Sequence, residues 1–164
     1  MNTLSTNFSN SEDNLTGLPT YRAGVAQSSA YRILMKFTDN AVKEYGITAM
    51  QWFMIGSIYD AGGAGVTVTQ LSKLLDTNVP YITNTLNLLA SKDIIIRTSQ
   101  EGDTRQKTVT INDDFRNHVQ EIENSLRKKM QSVLYADISS QELLTYIKVL
   151  YKINASSLES TGSK

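Results

Sequence analysis

From Thr69 to Ile111 the chain reads TQLSKLLDTNVPYITNTLNLLASKDIIIRTSQEGDTRQKTVTI, and this stretch decides the fold. Leu71, Leu74 and Leu75 stand at helical spacing and predict a short helix over Thr69–Leu75. After Asp76 and Thr77, Asn78 is a natural N-cap for a second helix, whose apolar positions are Val79, Ile82, Leu86 and Leu89. Pro80 falls in its first turn, where a missing N–H does no harm. Two short helices joined by about three residues form a helix-turn-helix. Ile94-Ile95-Ile96 then opens a strand, and Thr108-Val109-Thr110-Ile111 is a second β-rich run. The polar loop between them, Ser99 to Gln106 with Gly102-Asp103 at its tip, reads as a hairpin. A helix-turn-helix followed at once by a hairpin is a winged helix.

Working outward, Val66 to Val68 is expected to be a short strand. The cluster Ala61-Gly62-Gly63-Ala64-Gly65 before it is a flexible turn; no Gly-Lys-Ser/Thr follows it, as a phosphate loop would require. Upstream, Thr48 and Gln51 form a capping box for a helix over about 49–61. Met50, Met54 and Ile58 lie on one side of that helix and Trp52, Ile55 and Tyr59 on another, the pattern of a central, buried helix. Before it, Ala30, Ile33, Leu34, Phe37, Ala41 and Tyr45 make one apolar stripe over a helix of about 22–45 that Gly46 stops. Downstream, Phe115, Val119, Ile122, Leu126, Met130 and Val133 recur at helical steps. Ser139 and Glu142 form a second capping box, after which Leu143, Ile147, Leu150 and Asn154 share a face with Leu144, Tyr151 and Leu158. Helices this long have too little of their own chain to pack on, and a partner chain is the simplest cover.

The expected organisation is a mainly α chain with a small β wing. A disordered tail covers 1–20, the winged helix 46–111, flanking dimerisation helices 21–45 and 112–158, and a last tail 159–164. The chain has no cysteine, which excludes disulfides, thiolate metal sites and cysteine-based peroxide sensing and agrees with a cytoplasmic setting. No apolar run approaches the roughly 20 residues that span a bilayer, and Met1 to Pro19 lacks the pattern of a signal peptide. The 16 basic side chains are matched by 16 acidic ones. Any nucleic-acid binding therefore rests on a few placed cations, not on a general field.

The order of elements and four local motifs resemble the MarR family of bacterial and archaeal regulators. Gly46-Ile47-Thr48-Ala49-Met50-Gln51-Trp52 is similar to the opening of that family's second helix, and Leu88 to Ile95 to the end of its recognition helix. Asp103-Thr104-Arg105 before Val109-Thr110-Ile111 resembles its Asp-x-Arg wing, and Ile138 to Leu143 the start of its final helix. The resemblance covers about residues 22–158. It implies a homodimer built by the N- and C-terminal helices, with two winged helices set on successive major grooves of double-stranded DNA. It also implies that Arg105 enters the minor groove with Asp103 orienting it. Thr104, Lys107 and Arg97, around the wing, are further candidates for DNA contact. A narrow minor groove concentrates negative potential, which suits a guanidinium on a short hairpin. The plainer reading of Asp103 and Arg105 is a solvated turn.

One departure stands out. Family members commonly carry Arg or Lys near the middle of the exposed face of the recognition helix; here Asn84 occupies that place. The residues expected on that face are Asn78, Tyr81, Thr83, Asn84, Thr85 and Asn87. Asn pairs bidentately with adenine and Thr touches the thymine methyl, so the expected site leans to A·T; the alternative is that they only cap and solvate the helix. Many members of the family bind small aromatic anions or other effectors between the dimer helices and the winged helix. Tyr31, Arg32, Trp52 and Tyr59 are suited to line such a crevice, although their spacing describes ordinary core equally well.

Nothing marks an enzyme: there is no acid pair, Ser–His–Asp set or nucleophile elbow, and no cofactor is expected. His118, the only histidine, has Ile122 where a second metal ligand would sit, so a surface or interface role is expected. The second class of function consistent with the neutral charge and the Asn-rich helix is a DNA-incompetent partner subunit on the same fold.

Overall fold

A computed structural model describes residues 19–100 and 103–161, with side chains over 19–98 and 108–155. The tails expected at 1–20 and 159–164 lie largely outside this range; within it, Thr20 already opens a helix and the last helix continues to Thr161. The chain divides into two compact units, residues 1–122 and 123–164.

In the first unit, α1 (Thr20–Val42) runs through a single 3-10 turn (Lys43–Tyr45) to Gly46, whose φ of 70° lets its N–H reach back to the Lys43 carbonyl. The apolar stripe read from the sequence is not what α1 buries. Thr38 and Val42 are the residues packed inside, whereas Ile33 is 55% exposed and Ala30 is open to solvent. The side of α1 turned toward α2 is chosen by that contact; farther along the stripe Leu34, Phe37, Ala41 and Tyr45 are half-buried. Thr38 pays for its place, since its buried hydroxyl has no hydrogen-bond partner.

α2 (Ala49–Asp60) begins with the expected capping box: the Thr48 hydroxyl accepts from the Gln51 N–H and the Gln51 side chain accepts from the Thr48 N–H. Trp52, Met54, Ile55 and Ile58 are buried, as expected of a central helix. The glycine cluster is a structural device. Gly65 has φ 68° and ψ −179°, and a Cβ there would stand 2.9 Å from the Val109 carbonyl oxygen. Only glycine lets the chain pass so close to the sheet.

β1 (Val66–Thr67) is one residue shorter than expected. Thr67 starts a second capping box with Gln70, so Val68 already belongs to α3 (Val68–Leu74). Of the three leucines assigned to that helix, Leu71 is fully buried but Leu74 is 64% exposed. A helix this short can turn only one residue per turn fully inward. α4 (Val79–Ala90) buries Ile82, Leu86 and Leu89. Asp93, at φ 56°, turns the chain into β2 (Ile95–Gln100), which pairs with β3 (Asp103–Ile111). The sheet is antiparallel in the order β1-β3-β2, with Val66 opposite Val109 and Ile95 opposite Ile111. α5 (Asp113–Val133) leaves the sheet and buries Val119 and Ile122.

In the second unit α5 continues with Leu126 buried and ends at an exposed Val133. α6 (Ser140–Thr161) opens on the expected Ser139–Glu142 box. Its apolar residues are spread around the helix and largely uncovered: Leu144, Tyr146, Ile147, Val149, Tyr151 and Ile153 are all exposed. Burial pushes the Tyr135 phenol above its ordinary value, and the nearby Tyr146 adds to the effect.

Candidate nucleic-acid interface

The turn between α3 and α4 is tied by its own backbone. The Thr77 N–H donates to the Ser72 carbonyl at 3.0 Å, and the Ser72 hydroxyl donates to the Thr77 carbonyl at 2.5 Å. Asp76 takes a left-handed φ of 46° to close the loop. Asn78 is the N-cap, its side-chain oxygen accepting from the Tyr81 N–H at 2.9 Å. An open depression lined by Ser72, Lys73, Asp76, Thr77 and Asn78 lies at this corner.

Beyond the cap, the two sides of α4 differ in chemistry. Tyr81, Asn84, Asn87 and Leu88 face solvent, whereas Ile82, Thr85, Leu86 and Leu89 face the core. Thr85, expected among the exposed residues, is thus corrected: it is 6% exposed because it shares a side with Ile82, Leu86 and Leu89. Thr83 is half-buried and its hydroxyl donates to the Val79 carbonyl at 2.9 Å, which leaves the methyl as its free chemistry. Arg97, from β2, is exposed and its Nη2 donates to the Thr83 carbonyl at 3.3 Å. Lys92 is committed elsewhere, donating to the Gly46 carbonyl at 2.6 Å.

The hairpin is longer than the sequence suggested, because both strands run on into the expected loop. Ser99 pairs with Lys107, but Gln100 pairs with Asp103, so Thr104, Arg105 and Gln106 form an irregularity on β3 with no opposite residues. The side chains of Asp103, Thr104, Arg105 and Lys107 themselves lie outside the described residues.

The four residues suited to an effector crevice fall in different environments. Tyr31 and Arg32 are exposed on α1, and the Arg32 guanidinium donates to Ser28 of the same helix at 2.7 Å. Trp52 is core. Tyr59 is half-buried; its hydroxyl accepts from Gln120 at 2.9 Å, and the Arg116 guanidinium lies 5.6 Å from its ring centre. Sequence reasoning missed Arg116 and Gln120, because nothing local marks a contact that joins α5 to α2. His118 is exposed and stacks on Phe115 with ring centres 5.4 Å apart. Among the described residues no group of three or more His, Cys, Asp or Glu is placed to hold a metal.

The family profile that matches this chain is that of the MarR family, over residues 45–106. That match spans the helix-turn-helix and most of the hairpin. MarR-family proteins are transcriptional regulators, not enzymes. Solved MarR-type structures share the fold across most of the chain. The S. aureus MepR–DNA complex is 23% identical with a TM-score of 0.67, over 84% of this chain and 98% of that one. A mutant E. coli MarR complexed with operator DNA is 21% identical with a TM-score of 0.69, over 80% and 93%. S. aureus MarR in complex with salicylate and kanamycin is 21% identical with a TM-score of 0.69, over 85% and 92%. Among the described residues no helix is long and apolar enough to cross a membrane.

Proposed function

We propose that this chain is a sequence-specific, double-stranded DNA-binding transcriptional regulator that acts as a homodimer on a near-palindromic operator. The observation that carries this reading is the two-sided chemistry of α4. One side seals the core through Ile82, Leu86 and Leu89, and the other offers Tyr81, Asn84 and Asn87 to solvent beside a hairpin. A helix of this kind fits the major groove, where Asn84 and Asn87 match adenine and the Thr83 methyl matches thymine. Asn78 adds its side-chain amide N–H groups, which the cap leaves free. Arg105, oriented by Asp103, supplies the minor-groove contact; Thr104, Lys107 and Arg97 meet the sugar–phosphate backbone. The DNA complexes of S. aureus MepR and E. coli MarR support the reading.

The second copy covers the exposed apolar residues of α1 (Tyr21, Val25, Tyr31, Ile33) and of α6. The salicylate complex of S. aureus MarR supports an effector site in this chain; of the residues suited to it, Tyr31, Arg32 and Tyr59 keep accessible surface, whereas Trp52 belongs to the core. The cytoplasm is the compartment that such a function requires. A mobility-shift titration on the DNA flanking its own gene, repeated at rising salt, tests the proposal. A salt-sensitive complex that unrelated duplex does not compete away supports it. The absence of any complex favours a DNA-incompetent partner subunit on the same fold, the reading to which the neutral net charge lends weight.

A further inference from the structure

Between Asn78 and Ser91 the recognition helix contains no Lys or Arg. A cation nevertheless lies against it. Strand residues two apart share a face, so Arg97 continues the side of β2 that carries Ile95. Ile95 is buried, whereas Arg97, one step farther along the hairpin, is exposed. Its Nη2 reaches the carbonyl oxygen of Thr83, in the middle of α4, at 3.3 Å. A carbonyl has two lone pairs, so it takes this bond beside its helical one. The Thr83 hydroxyl, turned to Val79, does not compete for the guanidinium.

We infer that Arg97 gives α4 the cation its own sequence lacks. Anchored on the Thr83 carbonyl, it ties the wing to the recognition helix and presents its remaining N–H groups to a DNA backbone phosphate beside that helix. This inference rests on the DNA-binding reading above. A guanidinium carries five donors in a planar fork, so one edge can hold a carbonyl while another faces a phosphate. Lys has the charge but not the fork. An exposed bond of this sort contributes little to folding; its effect is to place a charge.

The test uses the full chain, with wild type, Arg97→Gln and Arg97→Lys measured on a duplex from the DNA upstream of its gene and on a scrambled duplex of equal length. Arg97→Gln is expected to reduce the slope of log affinity against log salt by about 0.9. It should weaken both duplexes by the same factor and leave the thermal unfolding midpoint in place. Arg97→Lys should keep the wild-type slope but bind more weakly at every salt concentration. Wild-type slope and affinity in Arg97→Gln would overturn the inference while leaving DNA binding intact. Loss of affinity with an unchanged slope and a lowered unfolding midpoint would reduce Arg97 to a strut and overturn it equally. A wild-type chain that binds neither duplex would overturn the DNA-binding reading and this inference with it.

Discussion

The carboxylate of Asp39, on α1, accepts a 2.6 Å hydrogen bond from the backbone N–H of Ala49, the first residue of α2. The opening N–H groups of a helix have no partners within it. Thr48 serves one of those of α2 from within the box, and Asp39 serves another from ten residues upstream. The same bond sets α1 against the central helix of the winged domain. Asp39→Ala leaves the Ala49 N–H, on a fully buried residue, without its partner, at a cost of about 1–2 kcal/mol. Urea unfolding measures this directly. A midpoint equal to wild type would mean that water replaces the carboxylate without loss.

Gly65→Ala should be more damaging than any other glycine substitution in the turn. Its φ and ψ are essentially restricted to glycine, and the added Cβ would meet the Val109 carbonyl at 2.9 Å and the Thr110 methyl at 3.1 Å. The expected cost is about 1–3 kcal/mol from the backbone alone. Gly63→Ala, where a Cβ meets nothing, is the control. Equal unfolding midpoints for the two variants would contradict the close approach to β3.

Ser139 holds the Glu142 carboxyl below its ordinary range, first through its hydroxyl and then through its backbone N–H, against a small opposing effect of desolvation. A carboxyl whose folded value is depressed stabilises the fold above its unfolded value, and that contribution disappears as pH falls through the folded one. The start of α6 should therefore loosen only in acid. Carboxyl NMR titration of Glu142 should move upward in Ser139→Ala. An unchanged titration would deny the box its electrostatic role.

Assembly is tested on α6. Leu144→Asp with Leu150→Asp places two charges on an apolar surface that one chain leaves largely open, and should give monomers or aggregates without DNA binding. Sedimentation of the wild type should report a dimer. A well-folded wild-type monomer at micromolar concentration would refute the homodimer.

The wing offers a test of coupling. Arg105→Ala should cost about 1–3 kcal/mol of DNA affinity and weaken the A·T preference beside the half-site. Asp103→Ala should cost nearly as much, and the double variant much less than the sum, because a misoriented Arg has already lost its contact. Lys107→Ala should weaken all sequences alike and lower the salt slope by about one. Additive losses from Asp103→Ala and Arg105→Ala would show that the two act separately.

Several features were legible in the amino-acid order because they are short-range. A capping box occupies four residues, and Thr48–Gln51 and Ser139–Glu142 need only their own backbone to form. The Asn78 cap followed by Pro80, and a helix pair followed by alternating strands, likewise placed the winged helix, and that order of elements with four local motifs carried the MarR resemblance. Thr67–Gln70 was as readable as the others, but a strand assignment through Val68 concealed it.

Long-range contacts decided the rest. Spacing marks an apolar stripe on α1, but contact with α2 fully buries Thr38 and Val42 while the stripe itself is half-buried or exposed. Thr85 turns inward and Leu74 outward because each shares its helix with stronger claimants to the core. The bond of Arg97 to Thr83 spans 14 positions, that of Gln120 to Tyr59 61, and that of Lys92 to Gly46 46. No local pattern encodes these contacts. A periodicity specifies which residues share a face, whereas burial depends on which distant segment arrives to cover it.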